Sequence, residues 1–220
     1  MKLIHVCFQC KTEWESEGVP TDKELCLACS PEFREFKKIP RLSREIIISE
    51  KIDGTNGLIY INESNDLFVG SKSRWLSDHQ DNFGFWHWAM ENKTELLKLG
   101  VGYHYGEWWG KGIQRGYGLE EKRFSLFNTG RWVKMIDKEK EVCPPDKENC
   151  PECCYVVPIL HKGIFQTEYI EGQLLLLKTN GSQASPGFMN PEGIVIYHIA
   201  GGYYFKKTIL NDEKGKDEKK

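Results

Sequence analysis

The sequence predicts an α+β fold: mixed antiparallel sheets with few helices, preceded by a small metal-held module. Three observations predict it. Short β-rich runs bounded by Gly, Pro, Asn and Asp dominate from residue 39 onward. Only two stretches, 82–99 and 168–178, carry a helical pattern. Two Cys-x-x-Cys pairs stand ahead of the first of these strands. The expected organisation is a zinc ribbon over 1–38, a main domain over 39–210, and a disordered charged tail over 211–220.

The N-terminal module rests on Cys7-Phe8-Gln9-Cys10 and Cys26-Leu27-Ala28-Cys29, with fifteen residues between the pairs. Two such knuckles suit four thiolates around one Zn2+. The segment is too short to build its own core, so the metal would supply most of its folding free energy. It carries six Lys or Arg against seven Asp or Glu, so it is not a basic patch. Substrate or partner contact is the favoured role, beside docking and stability. Pro31 and Pro40 bracket the link to the main domain.

In the main domain, strands are expected at 45–52, 57–61 and 66–71, with a turn at 62–65. The helix over 82–99 places Phe85, Trp88, Ala89, Leu96 and Leu97 on apolar positions, and Gly100 ends it. The stripe Phe83, Phe85, Trp86 and Trp88 reads as core packing rather than a base-stacking platform. Strands resume at 102–109, 123–128, 155–158, 193–199 and 203–209. The helix over 168–178 is expected to turn Gln173 to Leu177 toward the sheets. Cys143, Cys150, Cys153 and Cys154 lie in a Pro- and Asp-rich loop, and read equally as a second zinc site, with His161 as an alternative ligand, or as free structural thiols.

Net charge is −2, which excludes a global basic field and leaves any nucleic acid to a local groove. No apolar run approaches the ~20 residues of a membrane span, and Met1 to Cys10 has no signal-peptide pattern. The expectation is a soluble, cytoplasmic protein of cellular or viral origin. Eight cysteines without a secretion signal favour metal over disulfides.

The chemistry centres on Lys51. An apolar run, Ile46-Ile47-Ile48, leads into it, and Leu58-Ile59-Tyr60-Ile61 follows the Asp53-Gly54 corner. Taken alone, that corner also suits an ordinary hairpin. A lysine at a strand end beside a tight turn is held rigidly, as a nucleophile must be. Its free amine, with a pKa near ~10.4, is protonated at neutral pH, and burial or nearby cations would lower that value. Lys206 and Lys207 are candidate cations if their strand lies beside Lys51. Glu107 and Glu192 stand at the ends of apolar or aromatic strands, each next to a glycine that allows close approach.

Lys51-Ile52-Asp53-Gly54 resembles the Lys-x-Asp/His-Gly signature of covalent nucleotidyltransferases: ATP-dependent RNA and DNA ligases and capping enzymes. Further blocks resemble the family's in its order: Gly70 to Arg74, Tyr105-Gly106-Glu107, Phe124 to Asn128, Glu192 to Val195, and Phe205-Lys206-Lys207. Asp53-Gly54-Thr55-Asn56 and the stretch Gly106 to Gln114 look like the RNA-ligase branch, including phage RNA ligases. The resemblance implies a nucleotidyltransferase (ATP-grasp-like ligase adenylation) domain using ATP and Mg2+ or Mn2+. It implies that Lys51 attacks the ATP α-phosphate, Glu107 binds the ribose, Phe127 (or Phe124) stacks on adenine, Glu192 positions the metal and Lys206 contacts the α-phosphate. Glu50, Ile52, Asn56, Lys72, Arg74 and Lys207 complete the implied nucleotide site. The implied partner is RNA with 5′-phosphate and 3′-hydroxyl ends.

Three positions depart from the family pattern. Lys72 stands where arginine is usual, so the phosphate contact falls to Lys72 or Arg74. Lys206-Lys207-Thr208 replaces Lys-x-Lys. Little follows Ile209 where relatives continue into a further domain, so the zinc module or a protein partner is expected to substitute. Competing readings are a DNA ligase, a GTP-dependent capping-type enzyme, and a non-catalytic zinc-dependent nucleic-acid-binding protein.

Overall fold

The computed structural model describes residues 2–19, 25–30, 32, 34–132 and 150–213. The chain divides into two compact units, Met1–Ile39 and Pro40–Lys220. In the first, β1 (Leu3–Val6) and β2 (Glu13–Ser16) form an antiparallel hairpin with Leu3 opposite Ser16. His5, stacked 5.5 Å from Trp14, is its one buried strand residue. A hairpin with so little core needs another source of stability. The chain after β1 turns through Cys7 and Cys10, closed by Cys7 N–H to Thr12 O at 2.8 Å. A second turn carries Cys26 and Cys29, closed by Ser30 N–H to Cys26 O at 2.8 Å.

The second unit contains, in chain order, β3 (Glu45–Lys51), β4 (Thr55–Ile61), β5 (Leu67–Gly70), α1 (Phe85–Glu91), α2 (Lys93–Leu96), β6 (Gly102–Gly110), β7 (Lys122–Leu126), α3 (Thr129–Trp132), β8 (Cys154–Val156), β9 (Ile159–Ile164), α4 (Thr167–Asn180), β10 (Gly193–His198) and β11 (Tyr203–Thr208). One sheet runs β11-β10-β3-β9, antiparallel throughout. The other runs β5-β4-β6-β7-β8, antiparallel except where β8 joins β7. β3 and β4 therefore belong to different sheets. The Asp53-Gly54 corner is not a hairpin but a crossing between sheets, with Lys51 at its edge.

Alternation along the strands divides each sheet into a packed face and a second face. Ile59 and Ile61 of β4, Trp108 of β6 and Phe124 of β7 bury against Phe85, Ala89, Leu96 and Leu99. Ile46, Ile48, Ile194 and Ile196 bury against Leu160 and against Leu177 of α4. Each such side chain contributes ~1.5–3 kcal/mol of transfer free energy. No helix among the described residues is long and apolar enough to cross a membrane.

Several expectations are corrected. The 82–99 helix is broken at Asn92, whose Nδ2 donates to Trp88 O at 2.8 Å and whose backbone leaves the helical region. α2 and a 3-10 turn, Leu97–Leu99, follow before Gly100. Phe83 is half-exposed rather than core, while Phe85 is fully buried. On α4, Leu177 is buried but Leu175 and Leu176 are exposed, because five consecutive helical residues cannot share one face. β9 is an added strand: Pro158 cannot continue the β8 ladder, and the chain crosses to pair with β3. Cys143 and residues 214–220 lie outside the described residues. At the start of the expected tail, Asp212 Oδ1 accepts from Thr208 N–H at 2.7 Å.

Candidate active site

β3 ends at Lys51 and the chain crosses to β4 through a corner that only glycine fits. A Cβ on Gly54 would sit 2.5 Å from Trp108 O and 2.7 Å from Trp109 Cβ. This approach brings Gly54 N–H within 3.0 Å of Glu107 Oε1 on β6. From the other sheet, Gly193 pairs with Lys51 on one side and Thr208 on the other. Its φ is +156°, and a Cβ there would lie 2.2 Å from Lys207 O. Glu192, immediately before it, is thereby brought to Lys51, and Lys51 Nζ donates to Glu192 Oε2.

Lys51 borders a cavity of about 1130 Å³ lined from both sheets. Asn56, Lys72, Glu107, Phe127 and Lys206 border it too. Burial pushes the Glu107 carboxyl up to about 7. The charge of Lys51 and the Gly54 N–H oppose that rise, while Glu192 and Asp53 add to it. The centre thus offers an amine, two carboxylates and, at its margins, the cations Lys72 and Lys206.

Other candidates sit differently. Glu50 and Ile52 border the cavity, but their side chains are committed elsewhere. Glu50 accepts from Ser182 Oγ at 2.6 Å, Gln183 N–H at 2.8 Å and Ala184 N–H at 2.9 Å. Ile52 packs with Trp109, Tyr117 and Val157. Arg74 is exposed, with Nη2 3.4 Å from Asp81 O. Lys207, on the alternate face of β11 from Lys206, lies 3.2 Å from Glu171 on α4. The strand of Lys206 does not lie beside Lys51. β10 intervenes, because the short 199–202 connection folds β11 straight back onto β10.

Sequence reasoning missed Arg115. Its Nε donates to Asp53 Oδ2 at 2.9 Å, and its Nη1 donates to Asn190 Oδ1 at 3.0 Å and Pro191 O at 3.2 Å. It ties the loop after Lys51 to the loop before Glu192. Tyr117 Oη accepts from Asp53 N–H at 2.9 Å and steadies the same loop. The available signal was an arginine in the glycine-rich stretch 110–118, which also carries Lys111.

In the N-terminal unit, the Sγ atoms of Cys7, Cys10, Cys26 and Cys29 all lie within 4.8 Å of one another. Tetrahedral zinc with Zn–S near ~2.3 Å puts its sulfurs ~3.8 Å apart, so the four thiols fit it. Among the described residues this is the one such cluster of three or more His, Cys, Asp or Glu. Cys150, Cys153 and Cys154 are not in it, and Cys143, the other cysteine of the expected second site, lies outside the described residues. His161 lies on β9, stacked 4.4 Å from Tyr169.

The sequence model of the RNA ligase family matches residues 44–208. The chain belongs to the RNA ligase family. The match spans every element from β3 to the end of β11, so both sheets and the cavity fall within the family region. Solved structures similar to it include variants of Naegleria gruberi RNA ligase. One with ATP and Mn has 20% identity and a TM-score of 0.54, covering 80% of this chain and 53% of that one. One with AMP and Mn has 21% identity and a TM-score of 0.54, with 80% and 53% covered. An apo variant has 20% identity and a TM-score of 0.53, with 80% and 52% covered. This RNA ligase family member thus spans about half the length of the solved chains it matches. No curated protein sequence matches it.

Proposed function

We propose that the chain is the adenylylating domain of an ATP-dependent RNA ligase that works through a covalent lysyl-AMP intermediate. The observation that carries this reading is that Lys51 and Glu107 border one cavity from two sheets, with Glu192 bonded to Lys51 Nζ. Lys51 Nζ, freed of its extra proton, attacks the ATP α-phosphorus in line. An N–P bond forms, the bond to the β-phosphate oxygen breaks, and pyrophosphate leaves. AMP then passes to an RNA 5′-phosphate, and a 3′-hydroxyl displaces it as the new phosphodiester forms. Such chemistry is governed by positioning and by stabilisation of phosphoryl charge.

The side chains divide that work. Glu107, beside the corner of Gly54, receives the ribose hydroxyls. Phe127, half-exposed at the cavity wall, stacks on adenine. Lys206 and Lys72 face the phosphates, with Arg74 outside the cavity and Lys207 turned toward α4. Glu192 holds Lys51 Nζ and is the carboxylate best placed for a divalent metal such as Mg2+ or Mn2+. That ion would supply charge neutralisation on the phosphates. Arg115 and Tyr117 hold the Asp53 loop.

The protein incubated with α-labelled ATP and Mg2+ is expected to take up label covalently and to release pyrophosphate. Lys51→Ala is expected to abolish the adduct. Labelled GTP and nicked RNA and DNA duplexes, run in parallel, define nucleotide and strand. Absence of adduct from either nucleotide would falsify the reading.

The N-terminal unit is read as a zinc-held module that contacts substrate or partner. The expected stoichiometry is one zinc per chain by native mass spectrometry. Cys26→Ser is expected to lose the metal and expose Met1–Ile39 to proteolysis, while the Lys51 adduct persists. Equal protease resistance with and without metal would count against a structural zinc.

A further inference from the structure

The second face of the five-stranded sheet continues outward from the cavity, and its character changes along the way. Antiparallel partners point to the same side, so Asn56 and Glu107, Leu58 and Tyr105, and Tyr60 and Tyr103 share one face. Glu107 belongs to the cavity centre. Two and four residues away along β6 stand Tyr105 and Tyr103, whose rings stack 6.3 Å apart. Tyr60 stacks on Tyr103 at 4.3 Å, and Phe68 and Trp75 follow at 5.8 and 6.3 Å from Tyr60. The result is an unbroken row of five rings leading away from Lys51.

This row is not core. Tyr103, Tyr105, Phe68 and Trp75 are 45–56% exposed, whereas Phe85, Trp108 and Phe124 across the same sheet are almost wholly buried. Burial therefore does not account for five adjacent aromatic rings on an open face. Two cations, Lys72 and Arg131, border the cavity that Tyr103 and Tyr105 also line. Asp66, in the hairpin at the outer end, accepts from Asn62 Nδ2 at 2.9 Å. Successive aromatic rings with flanking cations are what unpaired nucleotides require, since every base has a π-face and every linkage a charge. A paired duplex keeps its bases stacked inside and cannot use the rings.

We infer that this face is a stacking platform for a single-stranded stretch of the RNA substrate, delivering its 5′-phosphate end to Lys51. The inference rests on the ligase reading for its destination, but not for the row itself. Continuity with the cavity selects RNA over a protein partner: the row begins at residues lining the same space as Lys51.

The test uses the full chain and a fluorescein-labelled, 5′-phosphorylated, unstructured 12-nucleotide RNA, followed by anisotropy. Phe68→Ala with Trp75→Ala is expected to weaken single-strand binding about 10- to 100-fold. Phe68→Tyr with Trp75→Phe is expected to restore it. Both positions lie outside the cavity lining, so the double alanine variant should still form the ATP adduct at Lys51. Binding within about twofold of wild type in the double alanine variant overturns the platform, and so covers a face that serves a protein. Failure of the aromatic replacements to restore binding, or equal losses on blunt duplex RNA, also overturns it. Aromatic-dependent RNA binding by a wild-type protein that forms no ATP adduct would support the platform and sink the ligase reading alone.

Discussion

Glu50→Ala is expected to destabilise the protein by about 3 kcal/mol, lowering Tm by roughly 10 °C. Glu50 is almost completely buried next to Lys51 and collects the Ser182 hydroxyl and the Gln183 and Ala184 amides. Burial pushes its pKa up, and those three donors pull it back. Alanine removes the cost of a buried carboxylate but strands the buried Ser182 hydroxyl, at ~1–3 kcal/mol, and two part-buried amides, and the second effect wins. The 182–185 loop and the end of β3 should loosen together, so adduct formation at Lys51 should slow as well. Denaturant unfolding of the variant checks the first expectation. A change below about 0.5 kcal/mol would mean that water replaces the carboxylate without loss.

Glu107→Gln is expected to raise stability at alkaline pH while lowering nucleotide binding. The Glu107 carboxyl rises from 4.5 to about 7 on folding. A raised carboxyl pKa means that the folded state binds the proton more tightly. Its contribution to stability is therefore present in full below about pH 4.5 and is lost as pH rises through about 7. Near pH 8 the ionised group costs about 3 kcal/mol relative to its unfolded value. Glutamine does not titrate and still offers an oxygen to Gly54 N–H. Its Tm should exceed wild type by several degrees at pH 8, and the gap should close by pH 4.5. Wild-type ATP binding should strengthen as pH rises through about 7, while the variant should bind about 10- to 100-fold more weakly with a flat profile. Parallel Tm–pH curves for the two proteins would refute the assignment. The cost at pH 8 is the kind of instability that a binding site keeps for function.

Much of the site was legible because its signals are local. Lys51-Ile52-Asp53-Gly54 declares a rigid corner, and Gly106-Glu107 and Glu192-Gly193 place carboxylates where backbones must approach closely. The paired cysteines were equally readable, since spacing alone limits what four thiols can hold. Arg115 was not legible. Its partners Asp53 and Asn190 are 62 and 75 residues away, and no periodicity marks a contact made between loops. The aromatics misled in an instructive way. The conspicuous cluster at 83–88 packs mostly into the core, while Tyr60, Phe68, Trp75, Tyr103 and Tyr105, scattered over four segments, meet as one row only when β4, β5 and β6 pair.

Lys207 shows the same limit at the scale of one residue. Adjacent lysines look interchangeable in a sequence, but the pleat sends Lys206 to the cavity and Lys207 to Glu171. The sequence by itself determined the α+β class, the four-cysteine module and the identities of the lysine and carboxylates, because strand period, turn chemistry and ligand spacing are written over a few residues. Only the tertiary structure decided that Lys51 bridges two sheets rather than capping a hairpin, that β10 separates it from Lys206, and that Glu192 is its partner. Those facts depend on strand order and register, which join residues as distant as Ile46 and His198 and are chosen by burial of the whole sheet.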